Sequence, residues 1–263
     1  MIIDGHSHVT LPVEEHIKAM DAAGIDKTVL FSTTFHPEIN RNFTEVRSSM
    51  EFLNDLLAGK KGSMIEARQK SVSELMDAIK QYPDRYIGFG AVPAGLELKP
   101  TLQYVAENIQ KNNLSGMGEF TLGSGQIYLL KNIFEASKEF RNLPIWIHAF
   151  FPLTFQDIKE ISELAKDYSE TPVILGHLGG SNWLETVALV KEISNMYLDT
   201  SAFYSTFVLQ CIINEVPEKC FFGVDRPFGD LLLSKNAVLQ SAKTSAVANA
   251  VLGENIAKLL NVA

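Results

Sequence analysis

His6 and His8 stand two residues apart in Asp4-Gly5-His6-Ser7-His8. On an extended strand that spacing puts both imidazoles on one face. Asp4 has the same parity, one layer deeper. Two imidazoles so placed form a compact bidentate grip on a transition metal. The chain holds six histidines. Of the others, His148 and His177 sit near the carboxyl ends of two further apolar runs. Glu119 lies in GMGEF, and Asp225 ends the run CFFGVDR. Imidazole with carboxylate suits zinc, with manganese or iron as alternatives. Glu119 reads as a metal ligand, a bridge between metals or a hydrogen-bonded orienting group. His16 follows two glutamates on a helical stretch and reads as solvated. His36, before Pro37, reads as a surface-loop residue in preference to a substrate contact.

These side chains need elements to carry them. Short apolar, β-branched runs recur at 1–9, 27–33, 86–93, 117–122, 144–150, 172–178, 196–202 and 220–226. Most are apolar throughout, as expected of parallel strands covered on both faces. Helical segments separate them, at 12–23, 63–81, 98–112, 128–141, 154–168, 182–194, 203–215 and 232–250, with a last one at 254–261. Eight strands alternating with helices predict an α/β fold, the parallel eight-stranded (β/α)8 barrel, as a single domain over 1–263. Active sites of such barrels lie at the strands' carboxyl ends. His6 and His8, Glu119, His148, His177 and Asp225 then converge from five strands. Strand eight closes beside strand one, so Asp225 can reach the ion held by His6 and His8, while His148 comes from across the barrel.

About fifty residues separate strands two and three, too many for one crossover helix. Residues 34–62 therefore read as an inserted cap or lid after strand two, with a helix near 44–58 and a flexible GKKGS at 59–63.

Composition narrows the class. The chain has 263 residues, 46% of them hydrophobic, and a net charge of −8. An acidic balance with no basic run beyond Lys60-Lys61 speaks against a nucleic-acid partner. No apolar run approaches the roughly 20 residues that span a bilayer, so no membrane association is expected. The N-terminal MIIDGHSH does not read as a signal peptide. Two cysteines, Cys211 and Cys220, give no disulfide framework and no cysteine-rich zinc site, which makes a reduced, cytoplasmic setting the expectation.

Four stretches carry a family resemblance. They are Asp4-Gly5-His6-Ser7-His8, Trp146-Ile147-His148, Gly176-His177-Leu178-Gly179-Gly180 and Gly223-Val224-Asp225-Arg226-Pro227-Phe228-Gly229-Asp230. Together they resemble the amidohydrolase superfamily, and within it the amidohydrolase-related branch of metal-dependent hydrolases, lactonases and non-oxidative decarboxylases. The ending Asn255-Ile256-Ala257-Lys258-Leu259-Leu260 is similar to that branch's final helix. The resemblance implies that His6, His8, His148 and Asp225 surround the metal and that His177 is an acid/base or oxyanion-polarising group. Glu119 departs from the mononuclear pattern. Sets of His-x-His, Glu, His, His and Asp also occur in binuclear members, where the glutamate is a ligand and the strand-six histidine binds the second ion. The expected cofactor is Zn²⁺, one ion in preference to two, with Mn²⁺ or Fe²⁺ as alternatives.

The reaction expected is hydrolysis of a small carbonyl substrate (an amide, ester or lactone) through a metal-activated water with Asp225 as general base. A decarboxylase or other lyase of the same branch is the alternative, and a binuclear phosphodiesterase or nuclease a further one. Phe150, Trp183 and Arg226 are candidate substrate contacts. A small-molecule substrate is the expected partner, and a homodimer is compatible with such a barrel.

Overall fold

The computed structural model describes residues 1–57 and 63–262. Eight parallel strands form one sheet in sequential order: β1 (Ile3–His8), β2 (Lys27–Phe31), β3 (Tyr86–Gly90), β4 (Gly116–Phe120), β5 (Ile145–Ile147), β6 (Val173–Leu175), β7 (Met196–Asp199) and β8 (Cys220–Phe221). The sheet closes through a parallel bridge between Ser7 and Arg226, and Gly5 N–H donates to the Phe222 carbonyl at 2.6 Å. The fold is a (β/α)8 barrel. No helix among the described residues is long and apolar enough to cross a membrane.

Among the described residues eleven α-helices accompany it: α1 (Val13–Ala23), α2 (Phe43–Leu57), α3 (Met64–Gln81), α4 (Leu98–Val105), α5 (Lys131–Glu139), α6 (Phe155–Asp167), α7 (Trp183–Glu192), α8 (Thr206–Glu215), α9 (Leu231–Ser241), α10 (Ser245–Asn249) and α11 (Asn255–Leu260). The helix expected over 232–250 is two, because Thr244 caps a new helix by accepting from Val247 N–H at 3.2 Å. The expected flexible stretch falls mostly on 59–62, outside the described residues, and Lys60-Lys61 fall there too.

Two apolar layers hold the strands. Ile3, Val29, Phe31, Phe89, Trp146 and Phe221 fill the barrel interior, with Ile256 of α11 among them. A larger layer lies between strands and helices. Burying one such aromatic contributes roughly 1.5–3 kcal/mol. This packed interior is the floor on which the histidines rest: the His6 ring lies 4.8 Å from Phe31 and 5.8 Å from Trp146.

Strands β5, β6 and β8 end earlier than the apolar runs suggest. After β6 the backbone enters the left-handed region at His177 (φ 60°) and Leu178 (φ 56°), and after β8 at Asp225 (φ 62°). Ladder pairing cannot continue through those turns. His177 and Asp225 therefore sit on the loops that follow their strands, two residues beyond β6 and four beyond β8.

His16 is not solvated. Val13, His16, Met20 and Ala23 form the buried stripe of α1, and His16 is 1% exposed against Tyr86. Helical spacing from Val13 and Met20 carries it inward with the apolar residues. His36 is likewise no free loop residue: Nδ1 contacts Glu38 at 3.0 Å and Nε2 contacts Glu74 of α3 at 3.0 Å.

Candidate metal centre

β1 delivers His6 and His8 to the barrel mouth. Their Nε2 atoms each lie 3.7 Å from Oε2 of Glu119, at the end of β4. Oδ1 of Asp225 is 3.2 Å from His8 Nε2 and 4.0 Å from His6 Nε2. Three strand ends thus meet around one point. Gly118 makes room for β4 there. Its φ is +140°, and a Cβ on it would stand 2.5 Å from the Trp146 carbonyl oxygen.

The other oxygen of Glu119 faces a second pair. Oε1 lies 3.1 Å from His148 Nδ1 and 3.2 Å from His177 Nε2, and those two nitrogens are 2.9 Å apart. His6, His8 and Glu119 form one group of donors within 4.8 Å of one another, and Glu119, His148 and His177 form another. Glu119 belongs to both. The structure so brings together His6, His8, Glu119, His148, His177 and Asp225.

Behind these donors stands Asp199, at the end of β7, which the sequence reading did not single out. It is fully buried. Oδ2 accepts from His6 Nδ1 at 2.9 Å and from Trp146 Nε1 at 2.7 Å, while Oδ1 accepts from Ser201 N–H at 2.7 Å. Burial alone would raise its pKa. The charge and hydrogen bond of His6, with His177 and Ser201, outweigh that and hold it at about 2. Ser201 Oγ also meets His177 Nδ1 at 2.9 Å. Asp199 and Ser201 therefore fix the rings of both histidines. The signal available was an aspartate closing an otherwise apolar strand. Asp4 lies beneath them, its carboxyl pushed up to about 7 by burial, against hydrogen bonds from Ser7, His6 and Val224.

The donor set fits a divalent cation. His6 Nε2 is buried and has no hydrogen-bond partner, although its ring is locked by Asp199. Burial would lower the pKa of His6, but Asp199 and Glu119 hold it well above the usual histidine range. Glu119, against the same burial, is held well below the carboxylate range by His6, His148 and His177. The site is a buried anionic pocket that calls for positive charge, and neutral imidazole with ionised carboxylate is the state that ligates a metal. Asp199 behind His6 is the usual carboxylate–histidine support of a metal ligand.

A cavity of about 190 Å³ opens above the donors, with His8, Glu119, His148, Asp225, Phe35 and Phe228 in its walls. Leu53 of α2 and Arg68 of α3 close it from the side. None of the side chains proposed from sequence as substrate contacts lines this cavity. Phe150 packs edge-on to His177, at 6.2 Å between centroids. Trp183 packs on the outer apolar layer. Arg226 has a buried Nε, and its charge acts on His16 of α1 and on Tyr86. Arg68 and Leu53 were missed because their approach depends on how α2 and α3 pack.

Residues 3–262 match the family model described as Amidohydrolase. No curated protein matches the chain in sequence. Several solved structures share its fold. The 5-carboxyvanillate decarboxylase from Sphingomonas paucimobilis superposes with a TM-score of 0.69 at 14% identity, over 100% of this chain and 99% of that one. The 4-oxalomesaconate hydratase from Rhodopseudomonas palustris does so with a TM-score of 0.66 at 15% identity, over 99% and 96%. A dihydroxybenzoic acid decarboxylase from Polaromonas sp. JS666, described with bound manganese and the inhibitor 2-nitroresorcinol, gives 0.65 at 14% identity, over 99% and 97%. At such identities these likenesses concern the fold.

Proposed function

This chain belongs to the amidohydrolase family of enzymes, whose members hold a divalent metal, and we propose that it is a metal-dependent hydrolase of a small carbonyl substrate, an amide, ester or lactone. The observation that carries this reading is the position of Asp225. Its carboxylate borders the cavity and stands 3.2 Å from His8 Nε2, so a base lies beside the ligand set. His6, His8, Glu119 and Asp225 would hold the ion, with Zn²⁺ the first choice by donor type and Mn²⁺ or Fe²⁺ next. A divalent ion there supplies Lewis acidity, polarising a carbonyl and making water a nucleophile near neutral pH.

The chain's own residues do the rest. Asp225 accepts the proton of the attacking water and passes it to the leaving group. His177, its Nδ1 tied to Ser201 and its Nε2 set against Glu119 Oε1 and His148 Nδ1, would act in its protonated form as the group that polarises the reacting carbonyl. Phe35 and Phe228, stacked 6.2 Å apart at the mouth, shield the site from bulk water.

Two further readings have specific support. The names of the decarboxylases and hydratase that share the fold favour a lyase using the same ligands. The two-sided arrangement of Glu119 favours a second ion, bound with His148 and His177. A panel of lactones, esters, N-acyl compounds and aromatic acids, run with Zn²⁺ or Mn²⁺, tests the reading. Hydrolysis that His6→Ala abolishes supports it. Release of CO₂ without any hydrolysis moves the assignment to the lyase.

A further inference from the structure

Arg68 joins two cavities. It lines the small one above the metal ligands and also a larger one beside it, of about 700 Å³. Leu53 and Thr121 border both as well. The larger cavity is walled by Met50, Met64, Val92, Leu122, Leu129 and their apolar neighbours. Among the described residues, Arg68 is its one charged side chain. A chamber of that size holds a small-molecule body, and its walls suit an aliphatic one.

A cation in such a place is costly unless something answers it. Among the described residues, no carboxylate forms an ion pair with the Arg68 guanidinium. Burial pulls its pKa down while Tyr104 and Glu119 pull it back up. A guanidinium starting above about 12 stays charged throughout. Its planar fork of N–H donors matches a carboxylate bidentately.

We propose that Arg68 selects a substrate bearing a carboxylate on an aliphatic body, with that carboxylate set apart from the carbonyl that reacts at the metal. The reacting carbonyl sits over His8, Glu119 and Asp225, the carboxylate at Arg68 on the junction, and the apolar body in the larger cavity. A monoanion fits better than a phosphate. One guanidinium balances one charge, while Glu119 and Asp225 across the small cavity repel a second. The proposal rests on the hydrolase reading only for which bond breaks. The anion site can be tested alone.

The test is calorimetric titration of the full chain, after chelator treatment and again after loading with Zn²⁺, using hexanoate and its neutral counterpart hexanamide. Hexanoate should bind the wild-type chain at least about tenfold more tightly in both forms, the usual scale of charge-assisted hydrogen bonds. Arg68→Met should erase the preference in the chelator-treated protein. Arg68→Lys should keep part of it, since lysine restores the charge without the fork. Lys70→Met, which removes a charge from the same helix outside both cavities, should leave it intact. A preference that persists in Arg68→Met overturns the proposal. So does equal binding of the two probes, or no binding of hexanoate. Failure of the Zn²⁺ loading alone counts against the hydrolase reading and leaves the anion preference readable.

Discussion

Asp199 accepts the Nδ1 hydrogen of His6 at 2.9 Å, and this contact decides which imidazole nitrogen faces the other donors of the centre. An ionised carboxylate can only accept, so Nδ1 carries the hydrogen and Nε2 is left toward Glu119 and Asp225. The same Asp199 oxygen takes the indole N–H of Trp146, which anchors it to the barrel floor.

Asp199→Asn keeps the shape and removes the charge. The ring of His6 loses its preferred tautomer and orientation. Metal affinity should fall by about 10–100-fold, as for other carboxylates behind a histidine ligand. Competition against a chromophoric chelator measures it. The thermal unfolding of the metal-free variant should remain cooperative, which separates positioning from misfolding. An unchanged affinity would remove Asp199 from the account.

Metal should stabilise the fold, because the donors converge only in the folded chain. An ion present at about 1,000 times its Kd adds about 4 kcal/mol. For a barrel of this length that corresponds to a rise in Tm of about 10 °C. Scanning calorimetry with and without Zn²⁺ or Mn²⁺ reads this directly. His6→Ala should show little of the rise.

His16 gives stability a pH dependence of known sign. Burial, with Arg226 and Arg85 nearby, moves its pKa from 6.5 down to about 3. Between those values the unfolded chain binds a proton that the folded chain refuses. Stability from this group is therefore full above pH 6.5 and is lost as pH falls toward 3. The slope is at most about 1.4 kcal/mol per pH unit. Urea midpoints at pH 7 and pH 5 should drop less in His16→Met than in the wild type. The comparison isolates His16 from His6 and His148, which shift in the opposite direction. Parallel declines would contradict its burial as a neutral ring.

What the sequence made legible followed from period and position. Two-residue alternation put His6 and His8 on one face, and apolar runs marked the strand ends where Glu119, His148, His177 and Asp225 gather. Side chains acting across elements were harder to read. Asp199 closes an apolar strand in the same way as an aspartate that merely caps a turn. Arg68 lies on a helix whose orientation depends on the insertion packed against it. Arg226 follows Asp225 directly, yet it does not line the cavity that Asp225 borders. His16 was misread because its glutamate neighbours point outward while helical spacing turns the ring in.

Elemental analysis of the purified full chain, loaded with Zn²⁺ or Mn²⁺ and then dialysed, tests the metal centre most directly. At least one tightly held ion per chain is expected in the wild type, with its loss in the His6→Ala/His8→Ala double variant. A wild-type chain that retains no ion, or a double variant that retains it in full, would contradict it.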